Sequence, residues 1–198
     1  MATVKYLCTH ILVLSLGLSS VALAAPEDRG PRGSYVAIAT GIVMGSATDV
    51  EGESAGSHIG SAFSLRFGEE VLPRLTVGMN ISGAQANANQ SLYETYFAGL
   101  LFDASWQPAE DLPLSILFGT GFGGGELTPK GADGFKGQVA GAIHILGLQY
   151  DLRWPRNHGG GWCLSPYLRG HFLPASGESE AQIFTWAMGI ETNWSWGR

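Results

Sequence analysis

Hydrophobic and polar residues alternate with a period of two along most of the chain. The clearest case is residues 183–196, where large apolar or aromatic side chains occupy nearly every second position from Phe184 to Trp196. The intervening positions hold Ile, Thr, Ala, Gly, Glu, Asn and Ser. A period of two places alternate residues on opposite faces of a β-strand. The pattern therefore predicts a strand with one apolar face and one face of mainly small and polar residues.

The same alternation recurs in seven earlier segments, so the sequence predicts eight strands. They cover residues 33–48, 58–68, 74–84, 93–107, 114–124, 137–154, 162–173 and 183–196. Each has at least the roughly 9 to 11 residues that a tilted strand needs to cross a bilayer. Proline-containing turns at 69–73, 108–113 and 155–161 alternate with polar loops that begin at Asp49, Gln85, Glu126 and Pro174. This order predicts short periplasmic turns and polar extracellular loops.

The composition of the two faces indicates which one points inward. A strand face in water usually carries many charges, but the polar face here is mostly small. Small residues suit the inside of a narrow barrel, and aromatic residues at both ends of an apolar face suit membrane interfaces. We predict an all-β fold, an eight-stranded antiparallel up-and-down transmembrane β-barrel. Its expected interface residues are Trp106, Trp154, Trp162, Trp186, Trp194 and Trp196. The alternative is a soluble, lipocalin-like barrel with the aromatic face as its core.

The N-terminus resembles an export signal. Residues 1–25 contain Lys5, an apolar run over 11–18 and the small-residue ending V-A-L-A-A before Pro26. This arrangement is typical of a cleaved signal peptide, whereas a membrane-spanning helix needs about 20 apolar residues. We predict a signal peptide over 1–25 and a barrel domain over 26–198. An exported chain of this composition, with 29 glycines and 14% charged residues, is expected in the outer membrane of a Gram-negative bacterium.

Charge and cysteine content exclude some functions. Without Lys5 the chain has ten basic residues against 17 acidic ones, a net charge of −7 with neutral histidines. Nucleic-acid binding needs a basic surface, so it is not expected. Cys163 is the one cysteine after the predicted cleavage site, which excludes an intramolecular disulfide in the mature chain.

Six charged residues fall at predicted inward positions, three of each sign. They are Arg66, Asp103, Asp151, Arg153, Arg169 and Glu191. Because an unpaired ion away from water is costly, we expect them to pair within the lumen. They could form a polar plug or gate, or they could simply fill an interior that is only wide enough for side chains. We favour filling, and neither interpretation predicts a permanently open pore.

No motif establishes a catalytic, cofactor or metal site. G-T-G-F-G-G at 119–124 matches a dinucleotide-binding fingerprint, but the residues that follow cannot begin the required helix. His58, His144, His158 and His171 show no metal-ligand spacing. His171, Ser165 and Glu191 could act together on a lipid acyl chain, yet no serine stands two residues after His171 as in the lipid A deacylase barrels. We expect no catalytic residue, cofactor or metal.

The signal peptide, eight alternating segments, alternating connections and aromatic last strand together resemble the small eight-stranded outer-membrane barrels: the OmpA transmembrane domain, OmpX and the OmpW-like proteins. Gly197 and Arg198 follow Trp196, so the chain departs from the terminal aromatic that the barrel-insertion machinery recognises in that group. The resemblance implies a non-enzymatic, monomeric protein, embedded among outer-membrane lipid and lipopolysaccharide, with a structural or surface-interaction role through its loops. The barrel-insertion machinery would be a partner during biogenesis. The alternatives are a narrow channel for small or apolar solutes and a lipid-modifying enzyme.

Overall fold

The computed structural model describes residues 33–49, 54–86, 93–109, 112–129, 137–153, 160–175 and 181–196. These residues form nine strands. They are β1 (Ser34–Asp49), β2 (Ser54–Leu72), β3 (Leu75–Ala86), β4 (Tyr93–Trp106), β5 (Leu114–Pro129), β6 (Gly137–Tyr150), β7 (Leu152–Arg153), β8 (Gly160–Leu173) and β9 (Ala181–Trp196). Within the same ranges there is no helix long and apolar enough to cross a membrane.

The strands close into a barrel. Each strand from β1 to β6 pairs with its sequence neighbour, β1 also pairs with β9, and β8 pairs with both β6 and β9, always antiparallel. β6 and β7 are separated only by Asp151 and together form one side of the barrel. The predicted eight-stranded up-and-down barrel is therefore confirmed. We call the end where β1 begins and β9 finishes the terminal end, and the opposite end the distal end.

The two faces of the sheet are arranged as predicted, with most of the large apolar side chains outside. Ile42, Phe63, Phe102 and Met188 are exposed, while their neighbours Val43, Ala62, Leu101 and Ala187 are buried. A closed barrel satisfies every strand edge, so such an apolar exterior is suited to hydrocarbon. The soluble alternative fails because the aromatic face is not a core.

The predicted turn at 69–73 is wrong. β2 continues through Glu69 and Glu70 to Leu72, and the turn consists of Pro73 and Arg74. Arg74 has a φ of 69°, which fits a tight two-residue connection. Backbone pairing between β2 and β3 continues past the alternating apolar segment of β2, because strand pairing does not need apolar side chains.

Backbone pairing also extends other strands beyond their alternating apolar residues. β2 begins at Ser54 within the predicted 49–57 loop, and β5 runs through Glu126 to Pro129, into the predicted 126–136 loop. The predicted sixth strand, 137–154, is divided at Asp151 into β6 and β7, although the Asp151 backbone N–H donates to Pro113 O at 2.6 Å, in register with the Leu114–Tyr150 pair. Residues 1–25 and Trp154 lie outside the described residues.

Candidate functional site

The lumen contains a buried ionic core towards the terminal end. The Glu191 carboxylate accepts from Arg66 Nη1 at 3.1 Å and from Arg169 Nη2. Arg66 also donates two hydrogen bonds to the Asp103 carboxylate, from Nε at 2.8 Å and from Nη2 at 3.3 Å. The two arginines are 2% exposed and Glu191 is 0% exposed. Four of the six charged residues picked from the sequence thus form one network.

Small residues on the adjacent strands leave room for the long arginine side chains. Arg169 is paired across the sheet with Gly147 and Ala187. A Cβ atom at Gly147 would meet Arg169 Cγ at 2.8 Å. Arg66 has Ala37 as its partner on β1. The glycines and alanines of the inward face therefore shape the site as well as fitting a narrow barrel.

Two tyrosines support the guanidinium groups. The Arg169 guanidinium carbon lies 4.2 Å from the centroid of the Tyr167 ring, and that of Arg66 lies 5.6 Å from the Tyr35 ring. Arg169 Nη1 donates to Ser64 Oγ at 3.1 Å. Cation–π contacts and hydrogen bonds to charged donors are strongest where water is excluded. The ionic core is held in one arrangement by partners on several strands.

Asp151 joins this core through Gln149. Arg169 Nη2 donates to Gln149 Oε1 at 3.0 Å, and Gln149 Nε2 donates to Asp151 Oδ1 at 3.0 Å. Ser115 and Ser165 also donate to the half-buried Asp151 carboxylate, at 3.0 and 2.8 Å. The side chain of Arg153 lies outside what the structure describes, so its pairing stays a prediction.

The distal half of the lumen is mainly apolar, although Ser82, Thr95, His171 and Thr185 are also buried there, and this corrects the expectation of a mainly small and polar interior. One buried cluster fills it, made of Ala47, Phe97, Leu101, Leu117, Leu127, Val139, Ile143, Ile145, Leu173 and Ile183. Burying each large side chain contributes about 1.5–3 kcal/mol. The sequence carried a signal for this cluster. Several members stand beside apolar outward residues, as Leu101 does between Leu100 and Phe102, so the alternation is locally lost.

His171, Ser165 and Glu191, the candidate catalytic group, do not form a hydrogen-bonded group. His171 Nε2 is 3.0 Å from Ser82 Oγ, and its ring packs against Phe97 with centroids 5.0 Å apart. Ser165 instead donates to Asp151, while Glu191 is held by the arginines. Among the described residues no group of three His, Cys, Asp or Glu side chains could hold a metal ion. The glycine-rich segment 119–124 lies within β5, with no helix after it in the described residues.

The tryptophans in the described part of the chain point outward. Trp106, Trp162, Trp194 and Trp196 lie near the terminal end, and Trp162 stacks on Trp194 with centroids 6.1 Å apart. Trp186 lies nearer the distal end of β9, edge-on to Phe184 at 5.3 Å. This distribution suits two membrane interfaces; the interface assignment itself stays a prediction.

A closed eight-stranded barrel with an apolar exterior and a filled lumen has the fold of the small outer-membrane β-barrels. Comparison with solved structures agrees with this class. Ail, the attachment invasion locus protein of Yersinia pestis, is similar with a TM-score of 0.51 and 12% identity, over 82% of this chain and 98% of that chain. Neisserial surface protein A is similar with a TM-score of 0.52 and 14% identity, over 83% and 98%. The predicted resemblance is confirmed for the fold, and the shared fold supports an outer-membrane location.

The sequence comparisons add no family. No protein-family model matches the chain, and no curated protein matches it. At 12–14% identity the likeness to Ail and Neisserial surface protein A shows the fold alone. The function must therefore be argued from this barrel's own residues.

Proposed function

We propose that this protein is a non-enzymatic outer-membrane barrel that acts structurally and through surface contacts made by its distal connections. The observation that supports this role is the filled lumen. The ionic core occupies one half and the apolar cluster occupies the other, and Leu101, Ile143 and Ile183 have no exposed surface. An interior packed with side chains, as expected for eight strands, leaves the outer surface for contacts with other molecules.

The distal connections are the proposed contact segments. They cover residues 50–53, 87–92, 130–136 and 176–180, between strands that are paired on both sides. Binding residues are often carried by loops on a rigid scaffold. The name of Ail refers to attachment and invasion, and one solved structure of Ail is a complex with the heparin analogue sucrose octasulfate. Surface contact is thus compatible with this fold.

The test is attachment of cells that carry the barrel. A Gram-negative host would express the intact chain, or variants in which 130–136 or 176–180 is replaced by a Gly-Ser segment of equal length. Unheated and boiled samples compared by gel mobility would establish that each variant is folded. We expect the intact chain to increase attachment to immobilised matrix proteins, and at least one folded variant to lose that gain. Attachment equal to that of cells lacking the protein would contradict the surface-contact role.

The apolar distal lumen favours a second candidate, a narrow channel for small or apolar solutes. In that case the apolar cluster would have to move aside for a solute. Planar-bilayer recordings and uptake of a small apolar solute into proteoliposomes separate the two functions. The proposed role predicts neither conductance steps nor uptake above that of protein-free vesicles, whereas a channel predicts at least one of them.

A further inference from the structure

The exposed outer face of the barrel carries a hydrogen-bonded polar pair on two adjacent strands, β5 and β6. Thr120 on β5 and His144 on β6 are register partners, and Thr120 Oγ1 lies 3.0 Å from His144 Nδ1. Phe118 and Phe122 flank Thr120 along β5. The remaining neighbours on the outer face are also apolar: Ala142 and Leu146 along β6, and Phe102 and Phe172 across the sheet. Thr120 and His144 are therefore polar residues surrounded by apolar side chains, on a surface suited to hydrocarbon.

This pair cannot satisfy both of its donors by itself. A neutral histidine has one N–H and threonine has one O–H, and the single hydrogen bond uses one of these two donors. If the hydroxyl donates to Nδ1, the Nε2–H remains; if Nδ1–H donates to the hydroxyl oxygen, the O–H remains. In hydrocarbon a donor without an acceptor costs several kcal/mol. Either tautomer needs an additional acceptor.

We propose that Thr120 and His144 form the centre of an interface with a second copy of this chain in the membrane. Across a two-fold axis, Nε2–H of one copy donates to Thr120 Oγ1 of the other, and the reciprocal bond forms at the same time. Each hydroxyl then donates to its own His144 Nδ1 and accepts from the second copy. The pair thus contains the donors and acceptors that a symmetric interface requires.

The surrounding surface has a shape that fits the same occupant. Phe122 is 76% exposed, the most exposed large apolar side chain in the described part of the chain. Its register partner is Ala142, and the next row holds Gly124 opposite Ala140. A projecting ring therefore lies beside a shallow strip of small residues. Copies inserted in the same direction present this face to each other about an axis along the membrane normal, so the ring of one can pack on the strip of the other. The proposed dimer differs from the monomer that the resemblance implied, and the experiment below distinguishes the two.

The experiment is energy transfer between labelled barrels in phosphatidylcholine vesicles at increasing lipid dilution. Labels would be placed on Ala109→Cys, an exposed residue at the terminal end, in a Cys163→Ser background. Thr120→Val and His144→Leu remove one partner each, and Phe122→Ala removes the projecting ring. Thr40→Val is the matched control because Thr40 is also exposed on the outer face but lies on β1. Heat-dependent gel mobility establishes that every variant is folded.

We expect transfer above random proximity for the unaltered barrel, and half-maximal transfer at an about tenfold higher protein-to-lipid ratio for Thr120→Val and His144→Leu. Phe122→Ala should shift it in the same direction, and Thr40→Val should leave it unchanged. Transfer at the random level for the unaltered barrel would overturn the proposal and assign the pair to lipid or to a different membrane protein. Transfer unaffected by Thr120→Val and His144→Leu would also overturn it.

Discussion

Arg66 on β2 donates from Nη1 to Glu191 on β9 at 3.1 Å, although β1 lies between these two strands in the sheet. The contact joins residues 125 positions apart, on the two strands that flank β1. It depends on the closure made by β1 and β9, whose register is continuous from the Ser34–Trp196 pair to the Asp49–Ala181 pair. The ionic core and barrel closure are therefore coupled.

Replacing Arg66 with methionine should strongly destabilise the barrel. The substitution retains much of the side-chain volume but leaves Asp103 without its bidentate partner and Glu191 with Arg169 only. Removing one partner from a buried ion pair costs about 3–5 kcal/mol. Reversible urea unfolding in lipid vesicles, followed by tryptophan fluorescence, would measure the loss.

Arg74→Met is the control for that substitution. Arg74 is exposed at the β2–β3 turn and donates to Pro108 O at 3.2 Å. Exposed polar contacts of this kind contribute about 0–1 kcal/mol. Equal losses for Arg66→Met and Arg74→Met would contradict the central role of the ionic core.

Arg169→Ala tests the other half of the core. It removes a donor from Glu191, Gln149 and Ser64 and leaves a space beside the Tyr167 ring. We expect a lower unfolding midpoint, or ion conductance through the loosened lumen. Both would be measured on the same preparation, by urea unfolding and by planar-bilayer recording. If neither changes, Arg169 does not have the structural role assigned to it.

Gly41→Ala should destabilise the closure between β1 and β9. Gly41 is the register partner of Gly189, and a Cβ atom there would lie 2.3 Å from Met188 O and 2.6 Å from the Tyr167 hydroxyl. Overpacking of this kind costs roughly 1–3 kcal/mol. Gly83→Ala is the control because its Cβ would approach Phe97 O only to 3.2 Å. Unfolding midpoints should fall more for Gly41→Ala, and the reverse order would argue against this close approach.

The sequence predicted the faces of the strands well but not the contacts inside the barrel. The alternation is a local property, so it could place Arg66, Asp103, Arg169 and Glu191 on the inward side. Which of them meet depends on strand register and on closure, which place β2 and β9 on either side of β1. Neither quantity is contained in a period of two.

Strand ends and the apolar cluster were predicted poorly for a related reason. At Glu126 the apolar signal stops, but the backbone ladder continues to Pro129. In residues 100–102 both faces are apolar, so the inward residue Leu101 does not contrast with its neighbours. Alternation identifies a strand where the two faces differ, and it loses information where both surroundings are apolar.

The neighbouring residues Leu100 and Leu101 allow the lumen and the lipid-facing surface to be compared directly. Leu101 has no exposed surface and belongs to the apolar cluster, whereas Leu100 is exposed on the outer face. Leu101→Ala loses the transfer free energy of the side chain and also leaves a cavity, for a total cost of about 2–5 kcal/mol. Leu100→Ala loses the transfer free energy alone, because mobile lipid chains fill the space.

Urea unfolding of the two variants in the same vesicles would isolate the cavity contribution. Since Leu101 and Leu100 are adjacent on β4, differences in strand propensity and in unfolded-state effects are small. We expect the larger loss for Leu101→Ala. The same substitution at Ile143, also in the cluster, should resemble Leu101→Ala, and Leu146→Ala on the outer face of β6 should resemble Leu100→Ala. Equal losses for Leu101→Ala and Leu100→Ala, and for Ile143→Ala and Leu146→Ala, would mean that the distal lumen can collapse or admit lipid. That result would favour the channel over a sealed barrel.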